Sequence, residues 1–236
     1  MIFDNLAKIN KSADESEDQL RVSFDAKVAV KIGNLSRGGK SRKEVRADDH
    51  DFGVLGTITP VALYLPKEKD LFFYMVKSKV TSDCCVDIME DWWNNYSVTN
   101  KKVKTLILNM DNGPQQQSYT RQFMNRMQGF ANKADVQIQL AYYPPYHSKY
   151  NPVERTLGAL EKHWSSEILD TEDKVIGFAN SMTWHGKNPK VSVITRTYKT
   201  GVKVAKEVMN KLQAGFYRTI DIEKYSVLIT PQLDSG

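Results

Sequence analysis

The stretch VKTLILNMDNGP, residues 103–114, is a short, nearly all-apolar run that stops at Asp-Asn-Gly-Pro. Val103, Leu106, Ile107, Leu108 and Met110 leave it no polar face, which is the pattern of a strand covered on both sides. Downstream, Phe123, Met127, Phe130 and Ala134 recur at helical spacing and predict a helix from about Gln117 to Lys133. Val136 to Ala141 predicts the returning strand, so the centre of the chain reads as a β-α-β unit.

Toward the N-terminus, Val22, Phe24, Val28, Val30 and Ile32 alternate and predict a strand over residues 21–32, interrupted by Asp25. A loop rich in Gly, Ser and basic residues follows, then two strands over 54–65 and 71–76, an arrangement that predicts an antiparallel meander. Thr81 or Ser82 can cap the next helix, whose face carries Val86, Met89, Trp93 and Tyr96; Cys85, Trp92 and Trp93 read as core. At the front, Ile2, Phe3, Leu6 and Ile9 predict a helix over 2–10, with a polar linker from Lys11 to Asp18. Beyond the aromatic and proline loop Tyr142 to Tyr150, Asn151-Pro152-Val153-Glu154 opens a helix reaching about Trp164. A helix near 174–182, a strand near 190–195 and a helix near 202–212 complete the chain.

This order predicts an α/β, RNase H-like fold, a mixed five-stranded sheet flanked by helices, with a C-terminal α/β appendage. The expected division is an N-terminal helix and linker (1–19), a catalytic core (20–166) and an extension packed on it (167–236).

With 41% hydrophobic and 26% charged residues among 236, the composition excludes a disordered or fibrous chain. The net charge of +5 is modest but segregated: residues 31–46 carry +5, residues 186–211 carry +6, and the remainder −6. Segregated positive charge suits a polyanion binder, although two solvated faces would give the same pattern. The adjacent Cys84 and Cys85 exclude a disulfide framework. With neither a signal peptide nor a membrane-length apolar run, the expectation is a cytoplasmic protein.

Three acids stand on separate predicted elements: Asp25 on the first strand, Asp111 at the end of the buried strand and Glu154 on the first turn of a later helix. Together they could hold two divalent metals for in-line attack on a phosphodiester. Each also has a plainer reading. Asp25 could face solvent from an edge strand, and Asp111 could serve an Asp-Asn-Gly turn through the glycine's tolerance of positive φ. Glu154 could complete a capping box with Asn151 as N-cap and Pro152 at N1. An RNase H-like core favours the first reading, because it brings the elements of all three together. Asp48, Asp49 and Asp51 read as solvated acids, and His50, His163 and His185 show no ligand spacing.

SFDAKVAVKIGNLSRGGKSR (23–42), ADDHDFG (47–53), LNMDNG (108–113) and YYPPYHSKYNPVER (142–155) resemble bacterial insertion-sequence DDE transposases of the Rhodopirellula type, and more distantly the mariner-type enzymes. MTWHGKNP and YKTGVKV extend the resemblance toward the C-terminus. It implies that Asp25, Asp111 and Glu154 are the catalytic and metal-binding triad, holding two Mg²⁺ or Mn²⁺ ions. The implied reaction is DNA strand cleavage followed by 3′-hydroxyl strand transfer during transposition. Lys27, Arg37, Lys40, Arg42, Lys43, His147 and Lys149 are the expected DNA contacts, with Gly38 and Gly39 allowing close backbone approach. Double-stranded DNA, as transposon ends and target, is the expected partner of a homo-oligomer working at the bacterial nucleoid. The helix-turn-helix that such enzymes carry in front is not within the sequence, which therefore reads as a catalytic domain without it. Three alternatives remain at this stage: an inactive RNase H-like DNA-binding remnant, a nuclease without strand transfer, and a protein-interaction scaffold.

Overall fold

The computed structural model describes residues 1–36, 53–97 and 102–232. Two compact units emerge, each assembled from separated stretches: Met1–Phe24, Val80–Asn151 and Tyr198–Gly236 in the first, and Asp25–Lys79 and Pro152–Thr197 in the second. The segment after residue 166 is shared between them.

The first unit is built around β5 (Thr105–Met110), whose last five residues are buried, as its apolar run requires. β5 runs parallel to β1 (Gln19–Ala26), from Gln19 opposite Thr105 to Ser23 opposite Asn109. On its other side it runs parallel to β6 (Gln137–Tyr142). Two short strands absent from the sequence reading, β8 (Phe216–Arg218) and β9 (Ser226–Ile229), form an antiparallel hairpin that continues the sheet beyond β6. The end of the C-terminal segment thus extends this sheet. Helices α2 (Ser82–Ser97) and α3 (Arg121–Ala134) pack on each other, and Arg126 of α3 bridges Asp83 and Asp87 of α2 at 2.9 and 2.6 Å. Thr81 caps α2 by accepting from the Cys84 amide at 3.3 Å. Trp92, Trp93 and Cys85 are buried, as read from the sequence.

Three boundaries differ from expectation in this unit. α1 runs over Ile2–Glu15, so the expected linker is largely helical. Ala13 lies on the face of Leu6 and is buried with it against Ile107, Ala141 and Tyr143, and Asp14 pairs with Arg21 at 2.6 Å; burial and charge carry the helix on. α3 starts at Arg121, because Gln115, Gln116 and Ser118 spend polar groups on tertiary partners, as the site below shows. In the third, only Lys206–Leu212 forms the last helix, α6.

In the second unit, β2 (Val30–Ile32), β3 (Gly56–Leu65) and β4 (Asp70–Val76) form an antiparallel meander, as expected. The single strand expected over 21–32 is instead divided at residues 27–29, where the Lys27 amide bonds to Pro60 O at 2.8 Å. β7 (Lys190–Ile194) adds to β4 in parallel. α4 (Pro152–His163) packs Val153, Leu157 and Leu160 against Ile58, Ala62 and Phe73 of this sheet, together with α5 (Glu172–Ser181), which Thr171 caps. The buried side chains of Val153, Leu157 and Leu160 contribute roughly 1.5–3 kcal/mol each relative to exposure, which fixes α4 and the acid on its first turn.

Candidate active site

Asp111 directly follows β5. One carboxylate oxygen accepts from the side-chain amide of Gln116, whose Nε2 also reaches Asp111 O at 3.2 Å. The loop that carries both residues is tied down at successive points. Ser82 Oγ donates to Gln115 O at 2.7 Å, Tyr142 OH to Gln116 O at 2.6 Å, and Ser118 Oγ to Lys224 O at 2.9 Å. Arg218 on β8 donates to Ser118 O at 2.7 Å and lies over the Tyr119 ring at 4.5 Å. Burial pushes the Tyr142 hydroxyl well above its usual pKa, and the Asp111 charge adds to this while Arg218 opposes it. Tyr142 is therefore a neutral donor. Gly113 does not adopt positive φ, so the turn does not depend on the conformational freedom of glycine. A Cβ there would stand 3.4 and 3.8 Å from the two Asp111 oxygens.

Asp25 is the penultimate residue of β1, 8% exposed, with Oδ1 accepting from the Ala26 amide at 2.8 Å. Ser23 and Asn109 are partners in the parallel register. Asp25 stands two residues after Ser23, and Asp111 two after Asn109. Ser23 Oγ and both polar atoms of Asn109 are buried with no hydrogen-bond partner among the described residues, as is Asn112 Oδ1. Orphaned buried polar atoms are ordinarily satisfied by ordered water or an ion.

Glu154 is the third residue of α4 and half-buried. Among the described residues its carboxylate makes no hydrogen bond or ion pair. Asn151, the N-cap of the capping-box reading, instead sends Nδ2 to Phe24 O at 3.3 Å. It thereby ties the residue before Asp25 to the start of the helix that bears Glu154, and the capping box is not formed.

Lys27 pairs with Glu161 at 2.9 Å and borders a cavity of about 360 Å³ lined also by Val28, Lys31 and Leu35. His147 Nδ1 lies 2.8 Å from Pro145 O, and its ring stacks on Tyr150, with Phe3 edge-on to both. Lys149 is exposed, with Nζ 5.2 Å from the Tyr150 ring centroid. Arg37, Lys40, Arg42 and Lys43 lie outside the described residues, as do His50 and the acids Asp48, Asp49 and Asp51. Of the second basic window, Lys187 is occupied by Asp70 at 2.7 Å.

Three carboxylates are hard oxygen donors, the chemistry that suits Mg²⁺ or Mn²⁺. Among the described residues no three His, Cys, Asp or Glu side chains are already gathered around a metal position. The sequence singles out the three acids but not Gln116, Tyr142 and Arg218, which surround Asp111 and its loop. Gln116 sits in a polar run that reads as the start of a helix, and nothing local marks it as a partner of Asp111.

A mixed α/β fold of parallel and antiparallel strands flanked by helices is that of the RNase H-like class. The chain belongs to the Rhodopirellula transposase DDE domain family, whose model matches residues 1–231. Its fold is similar to that in the Mos1 transposase paired-end complex with left transposon end (TM-score 0.52, 11% identity, covering 74% of this chain and 49% of that one). The chain thus spans about half the length of the Mos1 transposase. It also matches the HTLV-2 integrase catalytic core domain in complex with magnesium (TM-score 0.39, 16% identity, 72% of this chain and 92% of that one). No curated protein matches the sequence. Among the described residues no helix is long and apolar enough to cross a membrane.

Proposed function

We propose that this chain is the catalytic domain of a DDE transposase, acting on double-stranded DNA, with Asp25, Asp111 and Glu154 as its three metal-binding carboxylates. Membership of the family supports the activity. One observation carries the residue assignment: the parallel register in which Ser23 meets Asn109, with an acid two residues beyond each. The Asn151 bond to Phe24 O supports Glu154 as the third member.

The donor set fits Mg²⁺ or Mn²⁺, which when bound would activate the attacking oxygen and neutralise charge developing on the phosphate. Without a cation, three carboxylates repel one another. Among the described residues the half-buried Glu154 carboxylate has no partner, which leaves its oxygens available to a cation. Asp111 is held by Gln116 at one oxygen, which leaves the second for a cation. Water as first nucleophile cleaves a strand, and the 3′-hydroxyl it leaves then attacks target DNA, with no covalent link to the protein. Lys27, His147, Lys149 and the basic residues Arg37, Lys40, Arg42 and Lys43 are proposed to grip phosphates, and two or more copies of the chain to act together on DNA ends. Such work belongs in the bacterial cytoplasm, at the nucleoid.

The test is strand transfer. A pre-cleaved duplex carrying the element's terminal inverted repeat, incubated with the protein and Mn²⁺, is expected to yield joined products that Asp111→Ala abolishes. Hydrolysis without joining would identify a nuclease instead, and DNA binding without either would identify an inactive binding module.

A further inference from the structure

Resting on that reading, we infer that Gln116 is the positioning residue of the metal site: its buried side-chain amide orients the Asp111 carboxylate for cation binding. Gln116 is 5% exposed, and its Nε2 has two acceptors, the Asp111 carboxylate and the Asp111 carbonyl. A donor held to both the side chain and the backbone of one residue restricts rotation of that side chain. Gln116 is itself fixed. Its amide N–H donates to Gly113 O at 3.1 Å, and its carbonyl accepts from the fully buried Tyr142 hydroxyl at 2.6 Å.

The C-terminal hairpin extends this support. Arg218 holds Ser118 O and Glu223 O, and Ser118 Oγ holds Lys224 O, so the hairpin pins the loop two residues beyond Gln116. β9 is in turn paired with β6, the strand that ends in Tyr142. A ligating carboxylate bonded at one oxygen presents the other in a defined direction. Loss of such an outer partner commonly lowers metal affinity about tenfold to a hundredfold.

Mn²⁺ titration of the full chain, by calorimetry or by electron paramagnetic resonance of free Mn²⁺, tests this without any DNA reaction. Gln116→Met keeps the volume and removes the donor; Gln116→Leu does the same independently. Both are expected to weaken Mn²⁺ binding about tenfold or more while the melting temperature stays within a few degrees of wild type. Gln117→Met removes a bond from the same loop to Asn112 O, but none to the carboxylate, and is expected to bind Mn²⁺ as wild type does. Wild-type affinity in folded Gln116→Met and Gln116→Leu, with affinity lost in Asp111→Asn, overturns the role of Gln116 and leaves the metal site standing. Wild-type affinity in Asp111→Asn overturns the metal site and the role of Gln116 together.

Discussion

Asp111 and Glu154 are proposed for the same task and are held in opposite ways. Asp111 is bonded by Gln116 within its own loop, and that loop is secured from three other parts of its unit, by Ser82 of α2, Tyr142 of β6 and Arg218 and Lys224 of the β8–β9 hairpin. Glu154 stands on a helix whose apolar face is firmly packed, yet its carboxylate has no partner among the described residues. The difference separates two ways of placing a ligand. One fixes the side chain; the other fixes the backbone and leaves the side chain to be ordered by whatever it binds.

The contrast is broken most directly by removing each carboxylate and measuring stability without metal. Asp111→Ala deprives the buried Gln116 amide of a charged acceptor, and a loss of about 1.5–3 kcal/mol is expected. Glu154→Ala loses no such bond and should stay within about 0.5 kcal/mol of wild type. Chemical denaturation of both variants checks this; equal losses would erase the distinction. Next in size, Tyr142→Phe removes the donor to Gln116 O and should cost about 1 kcal/mol, or somewhat more because the carbonyl is buried. The same measurement reads it, and an unchanged midpoint would show that the loop is held without this bond.

The smallest expected effect concerns pH. Burial pushes the Cys84 thiol to about 12 from its ordinary 9.0, and the charge of Asp87 adds to this. Below pH 9 the thiol is protonated whether folded or unfolded, and it contributes no pH dependence. Between about 9 and 12 the unfolded chain releases a proton that the folded chain keeps, so stability falls as pH rises through that window. Tyr142, raised by burial, adds to the decline above its ordinary 10.0. Denaturation midpoints measured from pH 8 upward should decrease more steeply in wild type than in Cys84→Ala.

Much of the fold was legible because it rests on periodicity. The apolar run of β5, the helical spacing of α3 and the Asn-Pro opening of α4 each state a local preference that the packing then confirms. The hairpin β8–β9 was not legible: its strands have three and four residues, too short to show alternation. The start of α3 was misread because Gln117, Ser118 and Thr120 are polar in a way a first helical turn tolerates, while Gln117 and Thr120 bond back within the loop to Asn112 O and Pro114 O, and Ser118 is held by Lys224 and Arg218 far along the chain. The three acids are proposed from their type and spacing, helped by the family resemblance. Their supports were not legible, since Gln116, Tyr142 and Arg218 meet only through tertiary contacts.

The measurement that goes straight to the centre is anomalous diffraction at the manganese edge from crystals of the full chain equilibrated with Mn²⁺. The account expects Mn²⁺ within coordination distance of Asp25, Asp111 and Glu154 together, with Glu154 turned toward the ion and Gln116 still bonded to Asp111. Manganese bound at other acids, with any of these three carboxylates left out of the coordination sphere, would contradict it.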